Sequence, residues 1–295
     1  MKSLHVICDG GLANRLTHLY QSLYFSQLFN CNLILSWPIN NWCSAEVDDL
    51  IDTQDFFLER NKKNLRDIYA ESTIYDIMIC HEIQIDGFKG NIVSSSLVNP
   101  AIFWKALNSF ANGAIYFYGN SFLDWMCEMD MVSAASSIPF NPKLISERNI
   151  FSGRTTGGLR TRTGIHIRGT DFGDPTTVVS KAYRFISANP TRLFFVCSDE
   201  RRIEDKFKYL SNCCIREKES FCTRFDSRQD WNGSTTDDIG RKYNFNIFRG
   251  KQATIEGLVD LLCLAQCGFL IRTSSSTFFR LAKLLSLVLL DKDDN

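Results

Sequence analysis

The chain predicts an α/β protein whose two halves each carry a parallel sheet, and three observations support this. The first residues read strand, glycine turn, helix, strand; the same β-α rhythm returns from Gly164 onward; and a glycine- and arginine-rich segment with few apolar anchors separates the two. A β-α-β unit needs a crossover and therefore parallel strands, with ligands expected beyond their carboxyl ends.

Taken in order, Leu4 to Cys8 is the first strand and Asp9-Gly10-Gly11 a tight turn. Leu16, Leu19, Leu23 and Phe29 mark one face of the helix that follows, and Cys31 to Leu35 reads as the second strand. From Trp37 to Phe140 the pattern is weak: a polar stretch at 61–67, a turn at Asn99-Pro100, a strand at Ala114 to Tyr118 and a break at Ile138 to Pro142. Gly153, Gly157 and Gly158 mix with Arg154, Arg160 and Arg162 between Ser152 and Thr163, which places the domain boundary at 152/153. Gly164 to Arg168 is then a strand, Val179 to Ala188 a helix, Leu193 to Cys197 a strand and Arg201 to Tyr209 a helix. The stretch up to Lys251 is polar and reads as loops. Thr254 is placed to cap a helix with a buried stripe of Leu258, Leu261, Leu262 and Ala265. Phe269 to Ile271 is a short buried strand, Thr273 to Thr277 a hydroxyl-rich turn, and Phe278 to Leu290 a last helix.

A length of 295 residues suits two domains of roughly 150 residues each. With 44% apolar and 22% charged residues the composition excludes a disordered or fibrous chain. Leu284 to Leu290, the longest nearly uncharged apolar run, is far short of the roughly 20 residues that span a bilayer, so no integral membrane segment is expected. His5 and Asp9 interrupt what would be a signal peptide, and a cytoplasmic location is the expectation. The 11 cysteines are odd in number, scattered and free of any C-x-x-C, which favours reduced thiols over disulfides or zinc. Net charge is zero, but residues 1–150 carry −6 and residues 151–295 carry +6. That asymmetry places an anionic ligand on the second half, and it is too small for a nucleic-acid-binding protein; a nucleoside diphosphate suffices.

Four clusters fall at predicted strand ends. In Gly164-Ile165-His166-Ile167-Arg168-Gly169-Thr170-Asp171, alternation puts His166 and Arg168 on one face and the two isoleucines on the other. An arginine fork at a strand end suits phosphate oxygens; the alternative is a structural Arg paired with Asp171 beside a satisfied His. Arg272-Thr273-Ser274-Ser275-Ser276-Thr277 offers short hydroxyls at a helix start, either a phosphate cradle or an ordinary cap. Asp260 sits among leucines and needs a partner, whether a purine's N–H donors or a salt bridge. Asp199-Glu200 follows a strand and can equally be an acidic helix cap. At the other end of the chain, Gly10 and Gly11 allow close backbone approach and set Asn14 and Arg15 at a helix start, without the spacing of a dinucleotide fingerprint. Trp37, Trp42 and Trp104 offer aromatic faces for a sugar, or core.

Together these segments resemble the GDP-fucose-dependent fucosyltransferase superfamily, with its α1,6-, α1,2- and protein O-fucosyltransferase branches. His166-Ile167-Arg168-Gly169-Thr170-Asp171 resembles its His-x-Arg-Arg-Thr/Gly-Asp, with Gly169 in place of the second Arg. Asp260 through Thr273-Ser274-Ser275-Ser276 is similar to the α1,6 branch without a gap, and Gly10 to Arg15 to the Gly-Gly-x-x-Asn-Gln/Arg opening of the α1,2 branch. The resemblance covers both ends of the chain but not residues 37–160. It implies a GT-B fold, two Rossmann-like domains facing across a cleft, with an acceptor-side domain at 1–152 and a nucleotide-sugar-binding domain at 153–295.

It also implies an inverting, metal-independent transfer of fucose from GDP-fucose to a hydroxyl of a glycan acceptor, with no further cofactor. By the same resemblance His166 and Asp260 would recognise guanine, Arg168 and Ser276 would hold the β-phosphate, and Asn14 would approach the sugar and diphosphate. Gly11, Arg15, Tyr183, Asp199, Ser274, Ser275 and Thr277 complete the implied donor contacts. The acceptor's base falls on Asp174, with Asp171 as the alternative. Two competing readings stay open: another nucleotide sugar on the same fold, or a non-catalytic nucleotide- or glycan-binding module.

Overall fold

The computed structural model describes residues 3–52, 59–61, 77–80, 91–94, 114–119, 128–169, 175–224, 235–236, 242–243, 247–273 and 276–293. It divides into two compact units. The first comprises Met1–Asn40, Thr53–Ile138 and Thr235–Tyr243; the second comprises Asn41–Asp52, Pro139–Ser234 and Asn244–Asn295.

The first unit is built on β1 (Ser3–Cys8), the helix α1 (Leu12–Phe29) and β2 (Asn32–Ser36). It continues with β3 (Glu59–Asn61), β4 (Ile77–Cys80), β5 (Asn91–Ser94) and β6 (Ala114–Gly119). These six strands form one all-parallel sheet in the order β3-β2-β1-β6-β4-β5. The expected strands at both ends of this half are present. β3, β4 and β5 were not foreseen: β3 is a polar Glu-Arg-Asn triplet whose strand character comes from pairing with β2. β1 is central, with Leu4, Val6, Ile7 and Cys8 all buried, and the chain leaves it toward β2 on one side while β6 flanks it on the other. The turn after β1 therefore stands at the topological switch point, where α/β sheets bind ligands. Gly10 makes that turn at φ 81, a conformation that side chains rarely adopt.

In the second unit, α2 (Val47–Leu50) lies within the segment 41–52 and precedes, by chain order, α3 (Glu128–Ser137), which packs on α1 in the first unit. The chain re-enters the second unit with α4 (Pro142–Arg154), β7 (Thr163–Ile167), α5 (Thr176–Ser187), β8 (Phe194–Ser198), the short α6 (Arg201–Glu204) and β9 (Cys213–Cys214). Two-residue strands follow: β10 (Thr223–Arg224), β11 (Thr235–Thr236), β12 (Lys242–Tyr243) and β13 (Ile247–Phe248). Of these, β11 and β12 pair with each other in the first unit. The chain ends with α7 (Lys251–Gln266), β14 (Phe269–Ile271) and α8 (Thr277–Asp293).

The four-stranded sheet β14-β7-β8-β9 is again parallel. Ile165 and Ile167 pack with Val179, Ala182 and Ile186 of α5 and with Phe194, Val196, Ile203 and Phe207, burying one face of the sheet. α7 packs between α4 and α8. The Gly/Arg segment expected to cross between domains lies inside this unit, where a 3₁₀ turn at Leu159–Thr161 leads into β7. α7 starts earlier than the sequence suggests: Gly250 is its N-cap, and Thr254 is no cap, since its hydroxyl bonds back to the Gly250 carbonyl at 3.0 Å. The segment 41–52 is tied to this unit by Ser44 N–H to the Arg249 carbonyl (3.2 Å), Arg249 N–H to the Asn41 carbonyl (2.9 Å) and Lys251 to Asp49 (2.8 Å).

Among the described residues nine cysteines are free thiols, no cluster of His, Cys, Asp and Glu is arranged to hold a metal, and no helix is long and apolar enough to cross a membrane.

Candidate functional site

In the first unit the glycine turn is held from behind. Arg15 is completely buried, and its guanidinium donates to the Gly10 carbonyl (2.8 Å), the Pro38 carbonyl (2.5 Å) and Asn40 Oδ1 (2.9 Å). Trp37 lies under it, 5.2 Å from guanidinium carbon to ring centroid, and is core, not an exposed sugar platform. Arg15 is thus corrected from a donor contact to a brace: its donors go to backbone carbonyls because an unpaired buried guanidinium is too costly. Gly11 is the N-cap of α1, and a Cβ there would meet nothing within 4 Å; Asn14, one turn on, is half-buried.

In the second unit the parallel pairing aligns the carboxyl ends of β14, β7 and β8. Ile271 lies opposite Ile165, and Ile167 opposite Ser198, so Thr273, Arg168 and Asp199 all follow the same edge. Two bonds cross it. The Thr273 hydroxyl donates to the His166 carbonyl, and the Gly169 N–H donates to Asp199 Oδ1 at 2.7 Å. Thr273, His166, Arg168, Gly169 and Asp199 therefore share one edge of this sheet.

His166 stacks on Phe278 of α8, with centroids 4.3 Å apart, and is nearly buried. Its Nδ1 is buried without a hydrogen-bond partner among the described residues. Burial, with Arg168 nearby, lowers its pKa to about 4 despite Asp199 and Asp260, so the ring is neutral near pH 7. A buried nitrogen left unpaired costs free energy and marks a place for a ligand donor. The satisfied histidine of the alternative reading is not what the structure holds.

The described hydroxyls of the serine turn have internal duties. Ser276 caps α8, accepting from Phe279 N–H at 3.2 Å, and Thr277 is the first residue of that helix. An accepting hydroxyl still has its own proton to donate. Ser274, Ser275, Asp171 and Asp174 lie outside the described residues. Glu200 is the N-cap of α6 but makes no side-chain cap, and Asp199 holds the Gly169 N–H instead, so neither acid serves as the expected helix cap. Tyr183 is 43% exposed and packs on Phe207 of the sheet's core, centroids 6.1 Å apart.

Asp260 takes the salt-bridge reading. Its Oδ1 accepts from Arg216 Nε (3.0 Å) and its Oδ2 from Lys218 Nζ (2.7 Å). Lys218 also donates to the Ser198 carbonyl (2.7 Å) and to Glu204, whose other bond takes the Ser198 N–H (2.8 Å). Arg216 completes the network with the Glu256 carboxylate and carbonyl. The carboxylate expected to meet guanine is therefore spent on two cations that clamp the end of β8. The sequence hid this network because Arg216 and Lys218 lie in the stretch without pattern. Their alternation on an extended segment, like that of His166 and Arg168, was the available signal.

Three carboxylates and two cations leave this buried network one proton short, and burial followed by Asp260 pushes the Glu204 pKa up to about 7. For Lys218, burial works against the charge, but Asp260 and Glu204 outweigh it and raise its pKa. Glu204 holds a proton in the folded chain that the unfolded chain loses above about 4.5, so its contribution is complete below that pH and is lost as pH rises through about 7. His166 acts with opposite sign: its neutral folded form costs stability as pH falls from 6.5 toward 4. We expect the melting temperature of Glu204→Gln relative to wild type to climb between about pH 5 and 7.5; a difference flat in pH rejects this assignment.

No family model matches the sequence, and no curated protein matches it. Solved structures do. The NodZ α-1,6-fucosyltransferase soaked with GDP-fucose aligns over 97% of this chain and 93% of its own, at 12% identity and a TM-score of 0.58. NodZ from Bradyrhizobium aligns over 97% and 94% at 13% identity and a TM-score of 0.56. A point mutant of Arabidopsis thaliana FUT1 in complex with GDP aligns over 96% of this chain and 68% of its own, at 10% identity and a TM-score of 0.55. Nearly the whole length is matched, including the middle where no motif is readable, and the chain is built on the fold of the fucosyltransferases that its motifs resemble.

Proposed function

We propose that this protein is an inverting, metal-independent glycosyltransferase that moves fucose from GDP-fucose to a hydroxyl of a glycan acceptor, with GT-B architecture in which the first unit is the acceptor-side domain and the second, which takes in 41–52 and starts again at Pro139 instead of at 153, is the nucleotide-sugar-binding domain. The observation that supports it most is the shared carboxyl edge of β14, β7 and β8, which carries Thr273, Arg168, Asp199 and a His166 whose Nδ1 has no partner among the described residues. Among the solved structures of this fold, one of NodZ was co-crystallised with GDP and another was soaked with GDP-fucose.

In this reading neutral His166 accepts an N–H of the guanine, and Asp260 holds the end of β8 without touching the base. Arg168 and the hydroxyl and N–H groups from Ser274 to Thr277 take the diphosphate, and Asn14 beside the open Gly11 approaches the sugar and diphosphate from the first unit's switch point. As the fucose–phosphate bond breaks, the electron pair leaves with GDP, and the donors placed for that charge lower the barrier. The acceptor hydroxyl loses its proton to Asp174, or to Asp171, as its oxygen bonds the anomeric carbon from the opposite face.

Calorimetric titration with GDP-fucose, GDP-mannose and UDP sugars in chelator tests the donor, followed by GDP release against a glycan panel. Binding of a GDP sugar in preference to UDP sugars is expected. Preference for a UDP sugar overturns the proposal.

A further inference from the structure

The residue after Arg168 is a glycine and adds no charge to this edge. A Cβ on Gly169 would come within 2.6 Å of Ile203 Cδ1 and 2.8 Å of the Glu200 carboxyl carbon, so a side chain there requires both of those side chains to move. A leaving diphosphate spreads its charge over several oxygens and is held best by more than one fork of donors.

Another guanidinium stands at the same edge. Asp199, which takes the Gly169 N–H on Oδ1, has its Oδ2 4.0 Å from an Arg249 Nη. At that separation the carboxylate orients the guanidinium by charge. The residue is fixed on two further sides: its backbone N–H and carbonyl pair with Asn41 and Ser44, and its guanidinium carbon lies 5.9 Å from the Trp42 ring centroid. The side chain is only 14% exposed. An arginine fixed at backbone, ring and carboxylate loses little further freedom when it grips an anion.

We propose that Arg249 is a second diphosphate-binding cation of this site, aimed by Asp199 and held by the 41–44 segment. The inference rests on reading the strand-end edge as a nucleoside-diphosphate site, and it adds a residue that no motif carries. It also explains how a chain with glycine at 169 meets the charge of a diphosphate.

The test is calorimetry on the full chain with GDP, GMP and guanosine at constant ionic strength, for wild type, Arg249→Met, Arg249→Gln and Arg249→Lys. Loss of the charged fork is expected to weaken GDP about 10- to 100-fold in the Met and Gln variants. Guanosine is expected to stay within about twofold, the preference for GDP over GMP to narrow, and Lys to recover part of the loss, because only phosphate contacts change. The Gln variant keeps the measurement available if Met prevents folding. GDP affinity unchanged in either variant overturns the inference, as does an equal loss of GDP and guanosine, which is the signature of a purely structural ion pair. Absence of GDP binding by the wild-type chain ends the nucleotide-sugar reading and this inference with it, whereas GDP binding that survives Arg249→Met ends this inference alone.

Discussion

Arg168→Ala is expected to lower GDP-fucose-dependent transfer by about 10²- to 10³-fold, with most of the loss in kcat, the size usual for removing one preorganised donor to developing charge. Arg168 follows β7 directly, between the carboxyl ends of β14 and β8, and the Gly169 N–H bond to Asp199 fixes the backbone at the next residue. A donor anchored this way does not reorganise as charge builds on the departing phosphate. Arg168→Lys keeps the charge but loses the planar fork, so it is expected to fall between wild type and Ala. Steady-state kinetics together with direct GDP titration separates the two effects; an alanine variant with unchanged kcat places the departing phosphate elsewhere.

Lys218→Met carries the largest expected cost in stability, about 3 to 5 kcal/mol, because removing one partner strands buried charge. Lys218 and Glu204 have side chains only 3% and 2% exposed, so solvent cannot compensate. The Ser198 carbonyl, Glu204 and Asp260 lose their shared donor at once. Adding Glu204→Gln to Lys218→Met is expected to recover part of the loss by removing one stranded carboxylate. Urea denaturation of the two variants measures both quantities. A cost below about 1 kcal/mol for Lys218→Met means the network is not holding the end of β8.

What the sequence made readable follows from local chemistry. β1, β2, β7 and β8 are apolar runs bounded by glycine or polar turns, and the pattern survives because both faces of a central parallel strand are covered; β14 is as apolar, but it is the edge of its sheet with Phe269 56% exposed, so the buried strand expected at 269–271 is corrected to an exposed one. β3 to β5 are short and set by pairing across the sheet, which no local pattern records. His166 and Arg168 were readable because alternation on a strand is a local rule. The role of Asp260 was not, since its partners lie more than 40 residues earlier, at Arg216 and Lys218. Arg15 looked like a ligand contact from its place at a helix start; only the carbonyls of Gly10 and Pro38, brought together by the turn and the end of β2, reveal a brace.

The excursion of residues 41–52 into the second unit makes that unit discontinuous in the gene. A fragment beginning at Pro139 would lack the strip that pairs with Arg249 and Phe140, so the obvious cut in the sequence does not release an independent domain. On the ribosome this strip emerges some ninety residues before its first partners and waits for them, which ties completion of the second unit's fold to a piece of chain made well before the rest of that unit.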